Sequence, residues 1–325
     1  MKHVQGRRML RARPIRVVTT GAVILVLAAL TVAATRHDKP SDPTAQPVPG
    51  TLPHTPGTYL GVYTAQVPVS YAGVTSFTTT TGVRPNVITY YSGWYEPFQT
   101  RFATTAAKQG AVTLVQIEPT HVSLAAIASG KYDGYLSAYA AAVRSYRHPV
   151  ILSFGHEMNG SWYTWGHRHA SPAEFVAAWR HIVSLFRALG AGNVTWLWTI
   201  NIIDKQKDAI PDPAPWWPGS SYVTWVGIDG YYLKPSWQFA PLFGPTIAAV
   251  RELTRAPILI AETGAVPAAG QPAKIADLFA GINAYGLLGF VWFNSTDVQD
   301  FKIEGNAAAV AAFRQGAKTY KWPGS

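Results

Sequence analysis

Two glutamates stand at the ends of short apolar runs in this chain of 325 residues. Glu157 follows the run 150–154 within the stretch ILSFGHEMNGSWYTWG, and Glu262 ends the run 257–261 within PILIAETG. Buried parallel strands have this composition, and the polar groups at their carboxyl ends carry the chemistry of α/β folds. We therefore expect both carboxylates at one rim of a sheet.

A pair of carboxylates facing each other suits glycoside hydrolysis, in which one protonates the leaving oxygen and the other, ionised, attacks or stabilises the sugar carbon. Carboxyl groups ~5 to 5.5 Å apart retain the anomeric configuration and a wider gap inverts it, and we expect retention. Trp162, Tyr163 and Trp165 offer flat faces on which sugar rings would stack. Because these rings also desolvate Glu157, we expect Glu157 to be the general acid and base, and Glu262 the nucleophile.

The elements that must position these residues alternate along the chain after residue 57. Eight β-branched or aromatic runs end near Tyr63, Tyr91, Glu118, His156, Asn201, Tyr231, Glu262 and Asn294. Helical patterns lie between them and include residues 133–146, 172–189, 241–254, 271–286 and 306–318. Ser171 and Glu174 flank Pro172 as an N-terminal cap should. This order predicts an α/β fold, a single (β/α)₈ TIM barrel.

Further aromatic and polar residues are candidates for lining a glycan groove. The tryptophans among them are Trp94, Trp198, Trp216, Trp217, Trp237 and Trp292, of which about half should be core. We expect Trp292, at the end of the last strand, to lie under the sugar that is cleaved. Trp216 and Trp217, in the proline-rich loop 211–219, are expected to be outer platforms, and Glu118 is a candidate substrate contact.

The amino-terminal segment predicts export. Residues 1–16 are basic and residues 17–34 are almost wholly apolar, so residues 1–36 are interpreted as a signal peptide or a membrane anchor. Residues 37–57 form a proline-rich linker, and residues 58–325 form the catalytic domain. We therefore expect a protein that is secreted or anchored to the outer face of the cytoplasmic membrane, with no other membrane contact.

Composition argues against several other classes of function. Seven basic residues of the +10 net charge precede the first acidic residue, so no basic stripe remains for nucleic acid. There is no cysteine, and Gly160 stands where a zinc-protease helix would need its second histidine. No metal and no cofactor are expected. The expected partner is a polysaccharide substrate, bound by a monomer.

Three segments together resemble glycoside hydrolase family 26. His156 to Gly160, with Trp162 and Trp165, is similar to the acid/base segment of that family, and Ala261 to Gly264 is similar to its nucleophile segment. The segment from Trp217 through Val226-Gly-Ile-Asp-Gly-Tyr231 is similar to its strand-six signature. The resemblance covers most of residues 57–320 and implies a retaining (β/α)₈ enzyme.

By that resemblance, Glu157 is the acid/base, Glu262 is the nucleophile, and Tyr231 holds Glu262 by a hydrogen bond. The residues implied to bind substrate are His156, Asn159, Trp162, Trp165, Trp198, Asn201, Tyr231 and Trp292. The implied activity is endo-hydrolysis of β-1,4-mannan. Mixed-linkage β-glucan is the second substrate, because Ser153-Phe-Gly155 and Thr224 differ from typical mannanases. The same two glutamates would also serve a transglycosylase, and a non-catalytic glycan-binding protein is the competing hypothesis from a different class.

Overall fold

The computed structural model describes residues 52–204 and 210–319. Eight parallel strands pair in sequence order, and the last pairs with the first to close a barrel. They are β1 (Tyr59–Tyr63), β2 (Val87–Gly93), β3 (Val112–Glu118), β4 (Val150–Phe154), β5 (Val194–Asn201), β6 (Trp225–Asp229), β7 (Ile258–Thr263) and β8 (Gly289–Phe293). Each predicted strand end lies within two residues of the observed one. The predicted (β/α)₈ barrel is confirmed.

Helices cover the outside of the barrel. They are α1 (Ala72–Thr81), α2 (Thr100–Lys108), α3 (Leu124–Ala128), α4 (Asp133–Tyr146), α5 (Pro172–Ala188), α6 (Phe239–Leu253), α7 (Gln271–Ala284) and α8 (Ala307–Ala317). The predicted cap of α5 is present, with Ser171 and Glu174 exchanging hydrogen bonds. The described part of the connection between β5 and β6 contains 3₁₀ turns and no α-helix, so the fifth unit departs from the expected alternation.

The inside of the barrel divides into an apolar and a polar half. Near the strand starts, one inward side chain from every strand joins a single apolar cluster, which includes Tyr59, Val87, Leu114, Ile151, Leu197, Trp225, Leu259 and Val291. Alternation then places Gln116, Ser153 and Thr199 inward two residues later, where each is fully buried. The apolar half therefore seals the barrel, and the polar half opens toward the carboxyl ends of the strands.

The predicted export segment and most of the linker lie outside the described residues. Leu52, near the end of that linker, packs against the apolar cluster inside the barrel. Across residues 52–204 and 210–319, no helix is both long and apolar enough to cross a membrane.

Candidate active site

Glu157 is aimed by the turn that follows β4. Its backbone is in the left-handed region, with φ of 55°, and Gly155 two residues earlier has φ of 54°. A left-handed backbone is costly for a residue that has a Cβ, and such strain is typical of functional sites. The amide of Glu157 donates to the carbonyl of Thr199 on β5 at 2.9 Å, which holds the turn in place. The side chain lies in the polar half of the barrel and is only 7% exposed.

The carboxylate of Glu157 accepts two hydrogen bonds. Asn201 Nδ2, at the end of β5, donates to Oε1, and Trp162 Nε1 donates to Oε2 at 2.7 Å. Burial raises the pKa of Glu157 to about 8, the charge of Glu262 adds to the rise, and the two hydrogen bonds oppose it. Glu157 is therefore protonated at neutral pH, which is the state that a general acid requires.

Glu262 is held by two phenols. Tyr231 donates to Oε2 at 2.6 Å, and Tyr91, at the end of β2, donates to Oε1. Burial and the negative charge of Glu262 raise the pKa of both tyrosines well above the ordinary value, so they keep their protons and act as donors. Hydrogen bonds from O–H groups favour the ionised form of a carboxylate, which is the form that a nucleophile requires.

A third carboxylate, Asp229 at the end of β6, lies against this pair. One oxygen each of Glu157, Asp229 and Glu262 lie within 4.8 Å of one another. Asp229 is fully buried, and neither of its oxygens accepts a well-aligned hydrogen bond. Burial and the charges of Glu262 and Glu157 raise the pKa of Asp229 well above its ordinary value.

The three carboxylates are also the one group among the described residues that has the composition and spacing of a metal site. However, all four oxygens of Glu157 and Glu262 already accept hydrogen bonds from N–H or O–H groups. A cation placed among them would face the positive ends of those four donors. The arrangement suits acid/base and nucleophilic chemistry better than metal binding.

The part of the chain that carries this site matches the sequence model of a known family. The model of glycosyl hydrolase family 26 matches residues 78–270, which is more than half of the chain and includes both glutamates. The chain belongs to glycosyl hydrolase family 26. The resemblance seen in the three sequence segments is thereby confirmed.

Two curated relatives and one solved structure illustrate the similarity. Endoglucanase H of Acetivibrio thermocellus is 28% identical over 278 residues, which are 80% of this chain and 30% of that protein. A mannan endo-1,4-β-mannosidase of Bifidobacterium adolescentis is 29% identical over 125 residues, 35% of this chain and 12% of that protein. The family 26 β-mannanase of Bacteroides ovatus superposes with a TM-score of 0.59 at 16% identity, covering 82% of this chain and 90% of that one. This chain thus spans less than a third of the length of either curated relative.

Two of the residues that the family resemblance assigns to substrate, Asn159 and Trp165, make hydrogen bonds to the backbone of residues next to the catalytic carboxylates. Asn159 is fully buried and exchanges hydrogen bonds with the backbone of Asn201, donating to its carbonyl and accepting from its amide, both at 2.9 Å. Trp165 is 2% exposed, stacks on Tyr163 and donates to the carbonyl of His156. Asn159 and Trp165 therefore position neighbouring groups, and their contact with substrate stays a prediction.

The predictions for Trp198 and Trp292 as sugar platforms are wrong. Both rings are fully buried. Trp292 stands between two inward-facing positions of β8, so strand alternation points it outward, where it packs on Phe313 of α8 and donates to the carbonyl of Phe301. Trp198 faces outward for the same reason and packs on Trp217. Of the two tryptophans expected as outer platforms, Trp216 is buried, and Trp217 is half-buried and packs on Trp198.

Other predicted residues lie close to the catalytic carboxylates. Trp162 is 50% exposed while its indole donates to Glu157 and its ring packs against Gly160, so the exposed part of the ring can meet a sugar. His156 contacts Tyr163 through Nε2 and lies beside the ring of Tyr91. Glu118 is half-buried, and its charge contributes to the raised pKa of Glu157, which places it near the site.

Sequence reasoning missed Tyr91 and Asp229 as site residues, although both stand at strand ends. A count of inward positions would have found them. Tyr91 is four residues after Val87, and Asp229 is four residues after Trp225, and both of those residues belong to the inward-facing cluster. By the same count Phe293, not Trp292, faces the interior of the barrel, where it meets the rings of Tyr63 and Tyr231.

Proposed function

We propose that this chain is a retaining, endo-acting β-glycanase. Glu262 attacks the anomeric carbon while the bond to the leaving oxygen breaks, and Glu157 transfers its proton to that oxygen. A water molecule then attacks the anomeric carbon of the glycosyl-enzyme from the face that the leaving group has left, opposite Glu262. Glu157 takes the proton of that water, the sugar leaves Glu262, and both residues return to their starting states.

The observation that carries this proposal is the close pair of buried glutamates, which are bound by different kinds of hydrogen-bond donor. Their nearest oxygens lie within 4.8 Å, which fits the ~5 to 5.5 Å of retaining enzymes and not the ~6.5 to 9.5 Å of inverting ones. The raised pKa of Glu157, about 8, keeps the proton on the acid. The two tyrosines donate to both oxygens of Glu262, and such hydrogen bonds favour an ionised carboxylate.

For the substrate, we propose a β-1,4-linked polysaccharide, with β-mannan first. The match to the Bifidobacterium adolescentis mannosidase supports β-mannan. A β-glucan is the second candidate, because the match that extends over 80% of this chain is to an endoglucanase. We also propose that the chain acts outside the cytoplasm, on the strength of its basic and then apolar residues 1–34.

Product analysis tests the proposal. The purified chain is incubated with glucomannan, galactomannan, barley β-glucan and xylan, with Glu157→Ala and Glu262→Ala as matched controls. We expect internal fragments from mannan or glucan that are absent with both variants, and proton NMR of the fresh products should show the β-anomer first. An initial α-anomer would contradict retention. Binding of a glycan without release of reducing ends would instead support a non-catalytic glycan-binding protein.

A further inference from the structure

The exposed large hydrophobic side chains are concentrated at one end of the barrel. Of the six in the described part of the chain, five stand on loops that follow strands and therefore lie on the catalytic face. These are Val69, Tyr95, Trp162, Leu233 and Val298. The sixth, Tyr285, follows α7 and lies at the opposite end. Trp162 belongs to the site already described, and Tyr95, at 62% exposed, is the other aromatic ring of the five.

The ring of Tyr95 is held in a fixed place. Its edge contacts the rings of Tyr132 and Tyr135, with centroids 6.1 and 5.5 Å away. Beneath this group Trp94 is 7% exposed and packs on Tyr135 at 5.0 Å. Tyr135 also donates to the carbonyl of Glu96 at 3.1 Å, which ties the loop to α4. The exposed face of Tyr95 is therefore a pre-formed surface that would lose little side-chain entropy on binding.

Folding alone does not account for a tyrosine at this position. The backbone of Tyr95 is left-handed, with φ of 74°, a conformation that is strained for a bulky residue and that glycine adopts readily. The side chain buries little apolar surface in return, since most of it faces solvent. Strain without burial is the pattern expected where a side chain is kept for contact with a ligand.

The position of Tyr95 connects it to the catalytic centre. It follows the end of β2 by two residues, and the same strand end supplies Tyr91, which binds Glu262. Gly93, at the end of β2, pairs with Glu118 at the end of β3, so the Tyr95 loop begins at the level of the rim. A polysaccharide lying across the carboxylates and leaving over strands β2 and β3 would meet this ring.

We propose that Tyr95, supported by Tyr132 and Tyr135, is a distal sugar-binding subsite that takes one pyranose ring of the glycan cleaved at Glu157 and Glu262. The proposal rests on the proposed function. The C–H face of a pyranose packs on the flat tyrosine ring, and neighbouring phenol groups can meet its hydroxyls. The subsite adds affinity for long chains and does not change the chemical step.

The test measures binding separately from catalysis. In a Glu262→Ala background, affinity for glucomannan and barley β-glucan is measured by retardation in native gels that contain the polysaccharide. We expect Tyr95→Ala to weaken binding about 3- to 10-fold, Tyr95→Phe to retain it, and Tyr285→Ala to leave it unchanged. With Glu262 intact, Tyr95→Ala should raise KM for the polysaccharide and leave kcat/KM for a short aryl β-glycoside unaltered.

Tyr95→Gly is the control for folding, because glycine suits the left-handed backbone at this position. This variant should keep or raise Tm and should weaken binding in the same way as Tyr95→Ala. Equal retardation of the Glu262→Ala parent and its Tyr95→Ala derivative would overturn the subsite and leave the proposed function standing. If the parent is retarded by neither glycan nor by galactomannan or xylan, the proposed function fails and the subsite fails with it.

Discussion

Glu157 follows β4 and Glu262 lies near the end of β7, and the carboxylate of each accepts hydrogen bonds from two side chains. The donors differ between the two. Glu157 receives an amide and an indole N–H, whereas Glu262 receives two phenol O–H groups. A phenol is the more acidic donor, and the 2.6 Å from Tyr231 to Glu262 falls in the range of O–H···O⁻ bonds. Two adjacent buried carboxylates cannot both ionise cheaply, so this difference decides which of them keeps the proton.

Removing the nucleophile should have the largest effect on this comparison. We expect Glu262→Ala to lower kcat about 10⁴-fold or more, because the glycosyl intermediate forms on the carboxylate of Glu262. The loss should be equal for polysaccharide and for an aryl β-glycoside with a good leaving group, measured by reducing-end and chromogenic assays. If the variant cleaves the aryl glycoside at the wild-type rate, Glu262 is not the nucleophile, and the roles assigned to the two glutamates must be reversed.

Removing the acid should depend on the substrate. Glu157→Ala is expected to lower kcat on polysaccharide about 10²- to 10⁴-fold and to cost much less with a good leaving group, which departs without a proton. Because the pKa of Glu157 is raised to about 8, the wild type should lose activity as the pH rises through that value, when the acid is deprotonated. The variant should lack this alkaline limb, and a limb that persists would mean that another group supplies the proton.

Changing one phenol tests the donors of Glu262. Tyr231→Phe removes a hydrogen bond to a charged group and should lower kcat about 10- to 100-fold, with a smaller change in KM. Circular dichroism checks the fold, and Tyr285→Phe at the opposite end of the barrel is the control. If kcat is unchanged, Tyr91 alone is sufficient to hold the nucleophile.

A substitution of Asp229 tests how much the buried third carboxyl group lowers the stability of the folded chain. In the unfolded chain its pKa is ordinary, near ~4, and in the folded chain it is raised. The wild type therefore loses stability as the pH rises above ~4, because folding must keep or restore a proton. Asp229→Asn has no such cost and should raise Tm at pH 7 by roughly 3 to 8 °C and leave it unchanged at pH 4. Exposed Asp300→Asn is the control, and a shift independent of pH would contradict the argument.

The smallest effect is expected at the indole of Trp162. Its hydrogen bond lowers the pKa of Glu157, so Trp162→Phe should raise that pKa. The alkaline limb of the kcat profile should then move to higher pH by less than about one unit. If the alkaline limb stays at the same pH, the indole of Trp162 does not influence the pKa of Glu157.

Much of this protein was determined by its sequence alone. Apolar runs with polar ends predicted eight strands, because strand burial in a parallel barrel leaves so plain a pattern. The capping residues of α5 predicted its start, and the segments around Glu157 and Glu262 predicted the family and the catalytic pair. These features depend on neighbours along the chain, which the sequence displays directly.

Only the tertiary structure decided which way the side chains point. Strict alternation after Leu259 and Ala261, which face inward, would turn Glu262 outward, and a register shift in β7 between Ile260 and Thr263 brings it to the site. Glu157 needs its left-handed turn in the same way. Alternation without such irregularity sends Trp198 and Trp292 into the core. The register shift and the turn are defined by pairing with strands that are distant in the sequence, so no local stretch of sequence predicts them.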